Sequence, residues 1–203
     1  MTAIAVDDAW QEKCLIAISV QAGSDATFHG ITETVDFDIG EKDIEGVPIL
    51  NGGRVCKWTP EGDSSVTLEA YPMAVGTDTG TTGEGFFDLL HSADTGDVLG
   101  ILNTRDRNKY RILVMWTNDA SVTTAQSATT DTHSAVRFGF ADGHFTSVKP
   151  SFTDGILKYT VTFKCPAFDK AGVANVKFES AEGSGATDIL PAIAGYTSSY
   201  KFA

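Results

Sequence analysis

At 203 residues and 21.6 kDa, with 42% hydrophobic and 21% charged residues, the chain carries enough apolar matter for one medium-sized domain with a real core. Fifteen Lys and Arg against 27 Asp and Glu leave a formal charge of −12, which weighs against the basic stripe of a duplex-binding protein and against capture by an anionic membrane. Twenty Gly and 24 Thr favour strands and turns over helices, and exclude collagen, coiled coil and a wholly disordered chain.

The first ten residues include Asp7 and Asp8 and lack a basic start before an apolar run, so no secretory signal is expected. Residues 13–20 place Cys14, Ile16, Ile18 and Val20 on one face of a strand, opposite Leu15, Ala17 and Ser19. Residues 32–39 alternate cleanly, with Val35, Phe37 and Ile39 facing a core and Thr32, Thr34, Asp36 and Asp38 facing away. Residues 54–59 and 65–71 read as a hairpin closed by Pro60-Glu61-Gly62-Asp63, where proline presets φ and glycine supplies a positive one. A short amphipathic helix is expected over 84–91, built on Phe86, Phe87, Leu89 and Leu90.

Residues 109–117 are apolar on both faces and predict a strand covered on both sides. Residues 133–140 and 144–149 flank Ala141-Asp142-Gly143, a second hairpin signal. The cleanest alternation runs over 156–165 and ends at Pro166, which cannot donate to a ladder; 173–179 supply the last strand. Residues 77–85 and 118–132 are Thr, Ser, Gly and Ala-rich loops with little to anchor them, and 183–187 read as a linker. The arm beyond it is apolar, with Ile189, Leu190, Ile193, Tyr196, Tyr200 and Phe202. It either docks on a partner or folds back on its own domain. The organisation is thus one antiparallel β-sandwich or barrel-like domain over 1–182 and an arm over 183–203.

Catalytic signatures are missing. There is no Gly-x-Ser-x-Gly elbow, phosphate loop, dinucleotide fingerprint or His-Glu-x-x-His. Cys14, Cys56 and Cys165 lie far apart and read as strand cysteines, with no metal or disulfide pattern. Of the four histidines, only His133 and His144 could approach one another, across the second hairpin. Asp36-x-Asp38-x-Gly40 is part of a calcium loop, but Ile39 occupies the third ligand position, so an acidic strand face explains it better. No enzyme, metal or cofactor is expected.

Charge is unevenly placed. Residues 1–50 hold ten acids and two lysines, a face that either keeps the protein soluble or repels polyanions. The basic cluster Arg105-Asp106-Arg107-Asn108-Lys109-Tyr110-Arg111 suits a complementary protein surface better than phosphate.

The order of these features resembles the major tail tube proteins of tailed viruses, whether of bacteria or archaea. The resemblance rests on Asp36-Phe37-Asp38-Ile39-Gly40 with the long stretch Ile44-Glu45-Gly46-Val47-Pro48-Ile49-Leu50-Asn51-Gly52-Gly53-Arg54, on Val66-Thr67-Leu68-Glu69-Ala70-Tyr71-Pro72, on Phe86-Phe87-Asp88-Leu89-Leu90, and on Phe163-Lys164-Cys165-Pro166-Ala167-Phe168-Asp169-Lys170-Ala171-Gly172. It covers most of residues 30–180, and the apolar tail after Gly183 departs from it. It implies a mainly β tail-tube fold with one short flanking α-helix and long loops. Such subunits are structural virion proteins that form homo-oligomeric, usually hexameric rings, stacked as the conduit for genome ejection. Implied partners are further copies, then terminator, tape-measure and baseplate or tip proteins. Viral DNA passes without sequence-specific binding, no membrane is involved, and the subunit is made in the host cytoplasm before joining the virion tail. On this reading Asp36 and Asp38 face the lumen, and Arg105, Arg107, Arg111, Ile193, Tyr196, Tyr200 and Phe202 are candidate inter-subunit contacts. The alternative is a stand-alone β-sandwich binding module, such as a capsid decoration protein, adhesin or glycan-binding domain, with Trp10, Trp58 and Trp116 as possible sugar platforms.

Overall fold

The computed structural model describes residues 13–20, 31–41, 44–50, 52–58, 62–71 and 109–196, and alternating sequence becomes strand through most of them. In chain order these are β1 (Lys13–Val20), β2 (Ile31–Asp38), β3 (Ile44–Pro48), β4 (Arg54–Trp58), β5 (Ser64–Tyr71), β6 (Tyr110–Thr117), β7 (Ala135–Thr153), β8 (Ile156–Cys165) and β9 (Val176–Ala181). All their pairings are antiparallel, and no helix occurs among the described residues. The expected helix over 84–91 and the loop over 77–85 lie outside them.

Seven strands form one sheet in the order β1-β6-β7-β8-β5-β2, with β9 added to β7; β3 and β4 make a separate two-stranded ribbon. The 19-residue β7 curls the sheet. Up to Gly143 it pairs with β6 and β9, and from His144 onward with β8. The two halves therefore face each other across a shared core. Ile16, Ile18, Ile112, Val114 and Phe140 come from one half, and Val66, Leu68, Val161 and Phe163 from the other. Burying each large side chain contributes about 1.5–3 kcal/mol. Phe37 of β2 closes one end, its ring 4.6 Å from Phe138 and 5.9 Å from Trp116, so Trp116 belongs to the core and offers no free platform.

Two expected hairpins are corrected. Residues 141–143 do not reverse the chain: Asp142 takes a φ of 54° and the pairing with β6 slips between Tyr110 and Ile112, which makes a bulge in a continuous strand. Gly143 is required there, because a Cβ would lie 2.6 Å from the Lys164 carbonyl oxygen and collide with the Phe163 ring. The actual reversal follows at Asp154-Gly155, whose φ angles of 55° and 78° match a two-residue hairpin turn. Likewise β4 pairs back with β3, while β5 lies between β2 and β8. The core claims β5 through Val66, Leu68 and Ala70, whereas β3 is exposed at all five positions and projects as a ribbon.

Smaller shifts have local causes. Ile39, expected in the core, is exposed one residue past the end of β2. The last strand begins at Val176, not Val173, because the Asp169 carboxylate accepts the amides of Ala171 and Val173 at 2.8 Å each and holds a turn before it.

Candidate functional site

A second apolar cluster lies on the face of β1, β6 and β7 turned away from the shared core. It buries Ala17, Leu113, Met115 and Ala135 against Val122 and Ala125 of the 118–132 loop and Leu190 and Ile193 of the arm. The loop is thus anchored, contrary to expectation. Asp119, almost fully buried, accepts the backbone amide and hydroxyl of Ser121 (2.8 and 2.6 Å) and those of Thr130 (3.0 and 2.8 Å). Burial pushes its carboxyl up, but these four bonds outweigh burial and hold it well below the usual carboxylate range. The Lys13 ammonium adds bonds to the Ala120 and Val122 carbonyls. Loop and arm then pair: Thr129 N–H donates to Leu190 O (3.1 Å) and Ile193 N–H to Gln126 O (2.9 Å).

Two buried arginines fasten this layer from beneath. Arg137 donates through Nε and Nη2 to Glu179 (2.8 and 2.6 Å), to Pro191 O of the arm (2.7 Å), and to Ala125 O and Ser127 O of the loop (3.3 Å each). Burial pushes the Glu179 carboxyl up, but Lys177 and Arg137 outweigh it and keep the group depressed. Arg111 donates to Ala194 O (2.7 Å) and Ser19 Oγ (3.3 Å), and its guanidinium lies 5.7 Å over the ring of Tyr196. The buried Tyr196 hydroxyl donates to Asp142 at the β7 bulge, where Lys109 stands 3.4 Å from the same carboxylate. Burial, then the bond to Asp142 and its charge, raise the Tyr196 phenol.

Of the candidate inter-subunit contacts, the structure therefore places Arg111, Ile193 and Tyr196 inside the chain's own fold, all buried. Residues 188–196 follow the fold-back alternative. Residues 183–187 are not a free linker either, since the Asp188 carboxylate accepts the amides of Glu182 and Ser184 and the Ser184 hydroxyl. Arg105, Arg107, Tyr200 and Phe202 lie outside the described residues. Arg137 and Asp119 were missed by sequence reading; an arginine in the middle of an apolar strand was the available signal.

The other half of the sheet, formed by β2, β5, β8 and the second part of β7, differs on its outward face. Registration lines up Asp38, Ser65, Lys164 and His144; then Asp36, Thr67, Thr162 and Ser147; then Thr34, Glu69, Thr160 and Lys149. These side chains are exposed or half-buried throughout. Asp36 and Asp38 project from this face as expected. Lys158, over the Tyr71 ring at 5.6 Å, and Lys164 share it, so the surface is hydroxyl-rich with both signs of charge and not uniformly acidic. Both strands at its margins, β2 and the second part of β7, lack a partner on their outer side among the described strands.

Apolar side chains project elsewhere. The β3–β4 ribbon and its approaches expose Ile39, Ile44, Val47, Ile49 and Leu50, and the β7–β8 turn exposes Phe152 and Ile156.

Among the described residues no three His, Cys, Asp or Glu side chains converge on a metal position. His133 and His144 do not meet, since the hairpin between them does not exist; His133 Nδ1 instead bonds Thr130 Oγ1 at 2.7 Å and Thr132 Oγ1 at 3.0 Å. Cys165 is buried, and burial pushes the half-buried Cys14 thiol up to about 11, which leaves it unreactive. No helix among the described residues is long and apolar enough to cross a membrane.

No protein-family model and no curated protein sequence matches the chain. Among solved structures it is similar to a chain of the sheath/tube terminator of PVC, an extracellular contractile injection system, in its extended state (18% identity over 81% of this chain and 93% of that one, TM-score 0.46). It is similar to a chain of the anti-feeding prophage tube-terminating cap (12% identity, 82% and 88% covered, TM-score 0.46) and to an Hcp protein (11% identity, 83% and 96% covered, TM-score 0.38). With every one of these TM-scores below 0.5, the likenesses fix neither a family nor a role, and the chain's own surfaces carry the functional argument.

Proposed function

We propose that the chain is a structural subunit that assembles with copies of itself into stacked, hexameric rings, forming the major tail tube of a tailed virus. The observation that carries this reading is the half-sheet of four strands whose two margins have no partner among the described strands and whose outward face is polar and exposed or half-buried. Unpaired N–H and C=O groups along strand margins are a liability unless covered, and a ring of copies covers these two margins in every copy at once. The four strands alternate in direction, so a margin strand of the next copy continues the antiparallel pattern.

The outward face would then line the bore. Its threonines and serines, with Asp36, Asp38 and Glu69 set beside Lys149, Lys158 and Lys164, make a face of mixed charge and not a wholly cationic one on which phosphates would exchange counterions and stick. Viral DNA would pass without sequence-specific contact. The projecting β3–β4 ribbon and β7–β8 turn, with Leu50 and Phe152 exposed, suit contacts to the next ring or to terminator, tape-measure and baseplate or tip proteins. Such a subunit is made in the host cytoplasm, joins the virion tail and needs neither cofactor nor catalysis.

Negative-stain microscopy and light scattering of concentrated protein test the reading. Rings or tubes are expected. A monomer across a wide range of concentration and salt, unchanged by an initiating tail complex, overturns it.

A further inference from the structure

Charge is distributed unequally across the four-stranded polar face. The outward acids, Asp36, Asp38 and Glu69, all belong to β2 and β5; the outward lysines, Lys149, Lys158 and Lys164, all belong to β7 and β8. The β2–β5 side of the half-sheet is therefore negative and the β8–β7 side positive, with Lys149 on the margin strand and Lys158 and Lys164 one strand in, on β8. Asp36, Asp38, Lys149 and Lys164 are exposed, and none forms an ion pair with a described residue. Pro150, which has no N–H to give a ladder, is tolerated in β7 because that stretch is a margin.

We propose that this charge difference decides which margins meet when copies associate: β2 of one copy pairs with the second part of β7 of the next, and pairing of like margins is rejected. The inference rests on the self-assembly reading above and assigns its specificity to named residues. If β2 met β2 across a two-fold axis, Asp36 and Asp38 would oppose the same acids of the second copy, and like charges directly across a ladder are destabilising. If β7 met β7, Lys149 would oppose its own counterpart. Only the unlike margins bring acid against lysine on a common face. That contact is head to tail, so it cannot close as a dimer and must run on into a ring or filament. The repulsive arrangements matter as much as the attractive one, since backbone pairing alone would accept any margin.

The test is a charge exchange read by native mass spectrometry and light scattering, with circular dichroism confirming that each variant is folded. Asp36→Lys with Asp38→Lys, and separately Lys149→Glu with Lys164→Glu, should each raise the concentration needed for assembly about tenfold or more. Combining all four in one chain restores opposite signs and should restore assembly. Because the four side chains are exposed, the variants are expected to fold. If wild type assembles and both double variants assemble equally well, the charge assignment is wrong while the tube reading stands. Failure of the quadruple variant to recover likewise overturns the charge assignment alone. A wild-type chain that never assembles overturns both.

Discussion

Arg137 offers the sharpest test of how the loop and arm are held. Arg137→Met keeps most of the buried stem while deleting the guanidinium. The change removes two bonds to Glu179 and three to carbonyls of Ala125, Ser127 and Pro191. Breaking a buried pair by removing one partner costs about 3–5 kcal/mol. Glu179 keeps Lys177 at 2.8 Å, so its charge is not left bare, and the lower end, about 3 kcal/mol, is expected. That corresponds to more than a hundredfold in the folding equilibrium. Urea unfolding measures the total, and hydrogen exchange locates it: the amides of Thr129 and Ile193, which join loop to arm, should lose protection before those of β5 and β8. A loss below about 1 kcal/mol, or protection lost evenly over the chain, would refute the pinning role.

Three further outcomes follow from single residues. Asp119 is depressed in the folded chain, so its contribution is complete above the ordinary carboxylate value of about 3.9 and disappears as pH falls through the lower folded value. Asp119→Asn should cost about 2–3 kcal/mol at neutral pH and flatten the acid limb of a stability–pH profile; an unchanged limb would count against it. Gly143→Ala should lose about 1–3 kcal/mol, toward the upper end because one clash is with the Lys164 backbone, and an unchanged melting midpoint would show that β7 can shift. Leu50→Asp, at a fully exposed tip, should leave subunit stability within about 0.5 kcal/mol yet impair stacking by light scattering; normal tubes would remove the ribbon from the contacts.

Strand identity was legible wherever one face of a strand met the core. The alternation in β5 and β8 maps directly onto buried and half-buried positions. Pairing was less legible, because turn-forming residues do not reveal whether the chain reverses or bulges. Ala141-Asp142-Gly143 has the composition of a hairpin turn, but the strand needs a bulge there to leave one half of the sheet and enter the other. The 118–132 loop looked unanchored because its fixings are single polar atoms with partners far away in sequence. Lys13 reaches Val122, and Leu190 donates to Thr129 Oγ1 at 2.9 Å. Composition counts apolar area and is blind to such bonds. Asp36 and Asp38 were placed on the outward face correctly by period-2 reasoning, while their lysine counterparts on the same face became meaningful only once the strand order was known.

Where the chain is closed determines where it can associate. One face of β1, β6 and β7 is consumed by the loop and arm, whose Val122, Ala125, Leu190 and Ile193 are already buried on it and whose carbonyls are held by Arg111 and Arg137. That surface has little left to offer a neighbour. The polar face of the other half gains little from burial, since its hydroxyls would exchange water for imperfect partners. Among the described residues there remain strand margins with no described partner, and exposed apolar turns at the ends. Stability and association are therefore carried by different residues. Arg137→Met should weaken folding while leaving the margin charges intact; the exchange at Asp36 and Asp38 should weaken association while leaving the melting midpoint near wild type. Measuring both variants by both methods separates the two roles, and a shared defect in unfolding and assembly from either one would mean that arm and margins are not independent.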